Sequence, residues 1–436
     1  MKSETRFRGV LADVCASIDY GFTASATETP TGPKFLRITD IVPGHIDWHG
    51  VPYVAANGAI TEKYHLESGD IVIARTGATT GVSMYIDSPP VAVFASYLVR
   101  FKIKPEFDAR FIAYWLKTNA FWNYLKGCLG DKSAQPNASA STMTSAPIEI
   151  PSNTGIQSRI TNVLKSLDDR IDHNRALAAN LEAIARRLFK SWFVDFDPVR
   201  AKAAGEKPSG LADDIAVLFP DRFVESELGE IPEGWVYQPI TRIASVLSGG
   251  TPKRSVIEYW DGDIPWYSVV DSPTDGDMFV VRTSEYITQL GLEKSAAKLL
   301  PAGVTILSAR GTVGKLAMTC CPMTINQSCY AIKGDLGDYF TYFTIAQSIE
   351  WLKQNVHGAV FDTITKATLD GMTVVTPSEK AIQAFEIVVK PLMVRIESSV
   401  RERLALSSIR DLLLPRLISG KLRVKDAVSL IEETIA

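Results

Sequence analysis

Two stretches of the chain carry the same hydrophobic rhythm about half a chain apart. From Leu167 the positions Leu167, Ile171, Asn174, Ala178, Leu181, Ala185, Leu188 and Trp192 alternate four and three apart, the spacing of a coiled-coil seam. The second copy reads Leu392, Ile396, Ser399, Arg403, Leu406, Arg410, Leu413 and Leu417. The flanks agree too: Ile156-Gln157 is echoed by Ile382-Gln383, Lys165-Ser166-Leu167 by Lys390-Pro391-Leu392, and Arg170-Ile171 by Arg395-Ile396. A motif copied twice implies two equivalent jobs. Ser166 suits an N-cap with Asp168 and Asp169 in the first turn, and Pro391 suits a first helical position. Each copy therefore predicts a short helix, a break and a long helix. One seam has Ala178 and Ala185 where the other has Arg403 and Arg410, so the two are expected to pair, with the Arg stems along an apolar groove and their charges in solvent.

The segments around these helices are of mixed type. Residues 1–150 hold β-type runs at Phe35–Val42, Gly69–Thr76 and Ser96–Ile103, followed by an aromatic-rich helical run from Phe111 to Leu125. No βαβ rhythm points to a parallel doubly wound sheet. The small, polar stretch Gly127–Pro147 reads as a loop. Asp195–Trp235 reads as a charged connector that partly packs, because Phe193, Phe196 and Phe219 are too apolar to float free. Beyond it the first part is echoed: Gly69–Gly81 resembles Ala302–Gly314 with Gly77 matching Gly311, and Asp40, Ser96 and Trp122 have counterparts in Asp271, Ser328 and Trp351. The expected fold is α+β, with two pseudo-repeated mixed domains at 1–150 and 231–376. Helical regions are expected at 151–195 and 377–436, with a connector at 196–230.

Composition adds little beyond a globular class, at 436 residues, 46% hydrophobic and 22% charged. The net charge of −3 means that any nucleic-acid surface is local. No apolar targeting segment opens the chain and no stretch approaches the ~20 apolar residues of a membrane span, so a cytoplasmic protein with no membrane partner is expected. Cys15, Cys128, Cys320, Cys321 and Cys329 form no C-x-x-C pair and read as reduced, buried small residues. His45 and His49 sit in a Pro- and Gly-rich turn, a poor setting for zinc.

The sequence carries no complete catalytic motif of a familiar kind. Arg310–Lys315 resembles a P-loop, but Ala309 stands where the first Gly is needed and Leu316 where a Ser or Thr is needed. There is no G-x-S-x-G, no H-E-x-x-H and no Asn or Asp before Pro-Pro and an aromatic; Asp87-Ser-Pro-Pro90 is followed by Val91. What remains is binding chemistry: basic, hydroxyl and aromatic residues that suit phosphate positioning and base-edge contact. The candidates are Arg37, Thr39, Arg75, Thr76, Gly77, Thr79 and Lys132 in the first part, with Ser133 and Asn137 near Lys132. In the second they are Lys253, Arg254, Trp266, Ser268, Arg310, Thr312 and Lys315. A tight turn that packs the domain is an equal reading of either Gly-rich segment.

At this level the chain resembles the specificity subunit of a type I restriction-modification system over nearly its whole length. The resemblance rests on Lys190-Ser-Trp192-Phe193-Val-Asp195-Phe-Asp-Pro198-Val-Arg200, Leu218-Phe-Pro-Asp-Arg222, Gly229-Glu-Ile-Pro-Glu-Gly-Trp235 and Leu414-Pro-Arg416-Leu-Ile-Ser-Gly420-Lys-Leu422. Such a subunit is not itself an enzyme. The resemblance implies two target-recognition domains held apart by two antiparallel helices, each domain reading half of a bipartite, asymmetric double-stranded DNA target. It also implies two methyltransferase subunits docked on the helices and restriction or translocase subunits beyond them. S-adenosylmethionine, ATP and Mg would sit on those partners. On this reading the helix pair is carried by Leu167, Ile171, Leu181, Leu188, Trp192, Phe193, Leu392, Ile396, Leu406 and Leu413. Leu167 to Phe193 rises about 40 Å, close to the roughly 34 to 36 Å turn of B-DNA, so the helix acts as a ruler for the unread spacer. A structural adaptor without DNA, or an enzyme with an unrecognised site, are the competing readings.

Overall fold

The computed structural model of the protein describes residues 5–129, 136–273, 277–355 and 363–435. They form two units: Met1–Asp169 with Leu406–Ala436, and Arg170–Ala405. Each long helix gives one part of itself to each unit.

In the first unit a largely half-buried strand opens the domain. β1 (Arg6–Val10) pairs antiparallel with β8 (Pro147–Pro151), the last strand before the long helix. Between them β2 (Cys15–Tyr20), β7 (Leu98–Ile103), β4 (Ile71–Ala74) and β5 (Ser83–Tyr85) form a four-stranded antiparallel sheet in that order. β3 (Lys34–Leu36) and β6 (Ala92–Phe94) form a separate parallel pair. β4 is buried at all four positions, as a central strand covered on both faces must be.

The second unit repeats this plan strand for strand. Residues β9 (Phe223–Val224) and β10 (Ile231–Pro232) make a hairpin in the connector. Then β11 (Val236–Pro239) pairs with β20 (Thr373–Thr376), as β1 does with β8. β12 (Ala244–Ser248), β19 (Cys329–Gly334), β16 (Thr305–Ser308) and β17 (Leu316–Thr319) repeat the four-stranded order, and β14 (Phe279–Val280) adds a parallel edge strand. β13 (Trp260–Tyr267) and β18 (Thr324–Ile325) repeat the parallel pair, with β15 (Glu285–Ile287) added on the other side of β13. The α+β repeat expected from the sequence is therefore present.

Local expectations needed correction at several points. Phe35–Val42 is a strand only to Leu36; Ile38–Ile41 is a helical turn. Within Gly127–Pro147, Ala140–Thr144 is helical, with Ser139 capping the N–H of Thr142. The helical aromatic run is two helices, Ala109–Trp115 and Asn119–Leu129. Cys128 is exposed and Cys320 and Cys321 half-buried; only Cys15 and Cys329 are buried.

The long helices carry no break. The central helix runs from Thr154 to Phe193 and the distal helix from Glu379 to Ile418, 40 residues each. Ser166 is interior, its hydroxyl donating to the Val163 carbonyl. Pro391 is tolerated because it is exposed and leaves the carbonyl of Ile387, itself on the solvent side, to water. Equal lengths fix the register: Thr154 matches Glu379 and Phe193 matches Ile418, so Gln157 matches Ile382 rather than Gln383. The Ile-Gln echo is one residue out of register. Gln157 is fully buried, accepting from the Asp108 N–H at 2.8 Å and donating to the Pro151 carbonyl at 2.7 Å, whereas Gln383 is exposed.

Within the second unit the two helices run antiparallel, since Arg170 pairs with Glu402 at one level while Phe189 and Trp192 meet Phe385 at another. The anchor here is aromatic. Phe189 lies 5.4–5.8 Å from Phe193, Phe340, Phe343 and Phe385, and Trp192 meets Phe219 of the connector edge-on at 5.2 Å. Such ring pairs contribute about 0.5–1.5 kcal/mol each beyond area burial. Phe196 and Trp235 join the same cluster, so the connector is packed at both ends.

Candidate nucleic-acid interface

Strand register gathers the ends of several strands at one edge of each domain. In the first, β3 and β6 end together at Leu36 and Phe94, β2 ends at Tyr20 opposite Val99, and β4 ends at Ala74 opposite Leu98. The chain leaves these strands in three turns, at Gly21–Phe22, Arg37–Asp40 and Arg75–Gly77, and a fourth, Ala95–Leu98, links β6 to β7. In the second domain the equivalent turns are Gly249–Gly250, Ser268–Asp271, Ala309–Gly311 and Asn326–Cys329.

The two sets share their backbone hydrogen bonds. The Phe22 N–H donates to Phe94 and the Gly250 N–H to Ile325; Ala95 donates to Leu36 and Asn326 to Tyr267; Leu98 donates to Ala95 and Cys329 to Asn326. Arg75 donates to the carbonyl of Tyr97 at 3.0 Å, and Ala309 to that of Ser328 at 2.8 Å. This fixes Tyr97, not Ser96, as the counterpart of Ser328. Gly21 and Gly249 are required by close approach: a Cβ would stand 2.2 Å from the Ala95 carbonyl oxygen and 2.0 Å from that of Asn326. Asp40 and Asp271 are equivalent, each accepting the N–H three residues back, from Arg37 at 2.7 Å and from Ser268 at 2.8 Å.

The Gly-rich segments are strand-to-strand turns, β4 to β5 and β16 to β17, so neither is the strand-to-helix turn of a P-loop. Gly77 and Gly311 both take φ of +76°, a conformation that only Gly adopts without strain. Each turn is tied to the chain that leads to the long helix: Thr76 bridges Asn137 and Arg310 bridges Thr363. Arg75 lies over the ring of Tyr20 at 4.9 Å and reaches Asn137, and its buried Nε has no hydrogen-bond partner. Thr76 and Thr79 are half-buried; Arg310, Thr312 and Lys315 are exposed.

Other sequence candidates are committed elsewhere. Arg37 makes a two-pronged ion pair with Asp40 at 2.9 and 3.0 Å, which holds its guanidinium charged, while Thr39 is exposed on the same turn. Lys34, which opens β3 just before this turn, donates to the carbonyls of Val51 and His49. Arg254 pairs with Glu285 and lies over the rings of Trp260 and Trp266, and this pairing draws Glu285 below the ordinary carboxylate range. Trp266 is 3% exposed and donates its indole N–H to the Gly250 carbonyl, so it supports the turn from beneath and presents nothing outward. Ser268 is held by Asp271; Lys253 is exposed. Lys132 and Ser133 lie outside the described residues.

Sequence reading missed Tyr20, Tyr97 and Gln327. Tyr97 is 60% exposed beside Arg75, and the Thr251 hydroxyl donates to the exposed amide of Gln327. The paired glycines at 21 and 249 were the signal that would have found these turns.

The helix-pair residues differ in how far they are covered. Leu167, Ile171, Trp192, Phe193, Ile396, Leu406 and Leu413 are buried, and Leu181, Leu188 and Leu392 half-buried. The seam arginines are not free in solvent. Arg403 pairs with Asp277, where both side chains are largely buried, and Arg410 pairs with Asp168 at 2.8 Å. Among the described residues no cluster of His, Cys, Asp or Glu could hold a metal, and no helix is long and apolar enough to cross a membrane.

Comparison with known proteins agrees with this architecture. The family described as the type I restriction modification DNA specificity domain matches residues 34–183 and 232–386. The chain is 27% identical over 411 residues to the HindI specificity subunit of a type I restriction enzyme from Haemophilus influenzae, covering 83% of this chain and 88% of that one. It is 25% identical over 368 residues to the MjaIX specificity subunit from Methanocaldococcus jannaschii, covering 82% and 76%. The fold is similar to the crystal structure of the type I restriction-modification S subunit from M. genitalium, with a TM-score of 0.55 at 14% identity over 96% of this chain and 97% of that one. Two matches that together take in most of the chain, one on each repeat, show that it belongs to the family of the type I restriction modification DNA specificity domain.

Proposed function

We propose that this chain chooses the DNA target of a type I restriction-modification complex and performs no chemistry itself. The observation that carries the reading is the repetition of one turn cluster on two domains with different exposed side chains. A shared backbone frame with exchanged surface residues is what two readers of different sequences need.

On this reading residues 1–150 and 231–376 each take one half of a bipartite duplex target. Exposed cations such as Arg310, Lys315 and Lys253 set the phosphate register, and residues on the neighbouring turns meet base edges. The long helices space the readers and offer docking surfaces to two methyltransferase subunits. S-adenosylmethionine belongs to those subunits, and ATP and Mg to restriction or translocase subunits. A base flipped out of the duplex by a partner has to be presented in register, and holding the DNA is this chain's share. Its working place is the cytoplasm, where the chromosome is. The test is methylation mapping in cells that carry the cognate modification subunit with and without this chain. A bipartite motif with a fixed unread gap, present only when both are expressed, is the expected result. Methylation by this chain alone, or a motif indifferent to it, would overturn the proposal.

A further inference from the structure

The turn between β6 and β7 and its counterpart between β18 and β19 differ from their surroundings in one respect. Their flanking residues share the backbone hydrogen bonds given above, yet their central residues are unrelated: Ser96-Tyr97 in the first domain and Gln327-Ser328 in the second. The N–H groups of Ala95, Leu98, Asn326 and Cys329 and the carbonyls of Tyr97 and Ser328 are spent on the sheet or a neighbouring turn. Reading at this place therefore falls to side chains, held by a frame that does not have to be ordered on binding.

In the second domain the presented group is the amide of Gln327. The turn below it is braced by the Asn326 side chain, whose Oδ1 accepts the Ser328 N–H at 3.0 Å. The Thr251 hydroxyl donates to Gln327 Oε1, which restrains the amide while leaving its N–H₂ group to donate outward. Exposed cations stand on the turns to either side, Arg310 next to Ala309 and Lys253 two residues beyond Thr251. Resting on the function proposed above, we infer that this two-residue turn is the specificity-determining position of each domain. In the second domain Gln327 reads an adenine through its N6 and N7 edge, the geometry in which an amide donates once and accepts once. In the first domain Ser96 stands where Gln327 does and the exposed residue of the turn is its neighbour Tyr97, whose carbonyl accepts the Arg75 N–H.

The test uses the full chain assembled with its modification subunits. Gln327→Ala relaxes the methylated motif at one adenine in one half, lowering discrimination there about ten- to a hundredfold, and leaves the other half unchanged. Gln327→Glu, which has only acceptors, shifts the preference at that position toward cytosine, whose exocyclic amine donates. Binding of the assembled complex to duplexes differing at single pairs reads the same discrimination if either variant methylates poorly. Unchanged stringency at every position, or relaxation in both halves, overturns the assignment of Gln327. A wild-type complex that shows no bipartite motif removes the proposed function instead, so the two failures are distinct.

Discussion

Arg410 donates to one oxygen of Asp168 at 2.8 Å while the other oxygen of Asp168 accepts the hydroxyl of Tyr114 at 2.7 Å. One carboxylate thus ties the central helix to the distal helix and to the first recognition domain. Burial and the neighbouring carboxylate push the Tyr114 hydroxyl well above its ordinary pKa, so it stays a donor at any working pH. Asp168→Asn keeps the shape and loses the charge; the expected cost is about 1–2 kcal/mol, read from the urea midpoint. A double-mutant cycle with Arg410→Met should return a coupling of about 1 kcal/mol. A coupling near zero would mean that the pair adds nothing to the tie.

The seam separates two superficially equal leucines. Leu406 is 1% exposed, while Leu181 is half-buried against the second-unit core. Leu406→Asp buries an unpaired carboxylate and should cost more than about 3 kcal/mol, with loss of assembly with modification subunits. Leu181→Asp should cost roughly half as much. Equal thermal shifts in the two variants would contradict the seam.

How much of this was legible in the sequence can be seen along the same helices. The four-three spacing found Leu167, Ile171, Ile396, Leu406 and Leu413 because periodicity reports which face is covered, but it passed over the buried Phe189, Met393 and Val400 beside the seam. The partner of each face is a different matter: Arg403 looked solvent-bound because Asp277 comes from a loop 126 residues away. Pro391 and Ser166 read as boundaries from local preference, yet helix continuity was set by tertiary packing of the buried face. In the domains, glycine and aspartate positions gave the repeated frame, whereas Tyr97 and Gln327 carried no motif. Residues that differ by design between two readers leave no echo for repeat comparison to find.

Glu386 gives the fold a pH signature. Its carboxyl caps the helix Asp338–Gln347 by accepting the Phe340 N–H at 2.7 Å, and burial pushes its pKa up to about 7, with Asp338 raising it and Lys333 opposing. A raised carboxyl pKa favours the protonated fold, so the stability it contributes is complete below about pH 4.5 and is lost as pH rises through 7. Glu386→Gln should match the wild type near pH 5 and exceed it at pH 8 by an amount on the order of 3 kcal/mol. Parallel Tm profiles for the two proteins across that range would contradict the account. The equivalent helix of the first domain, Ala109–Trp115, is capped by its own Asp108, and Gly337 stands where Asp108 would be: a Cβ there would meet the Glu386 carboxylate at 2.5 Å.

Gly249→Ala should deform the second-domain turn, since its Cβ would stand 2.0 Å from the Asn326 carbonyl oxygen. The expected destabilisation is about 1–3 kcal/mol, accompanied by weaker discrimination in one half of the target. Unaltered stability together with unaltered discrimination would show that the close approach is not needed.

The most direct measurement exchanges residues 1–150 for the matching domain of another specificity subunit and maps the methylated motif of the resulting complex. Two independent readers on one helical frame require that one half of the motif changes, while the other half and the unread gap between them stay as they were. A motif altered in both halves, or left unaltered in both, would contradict the central claim.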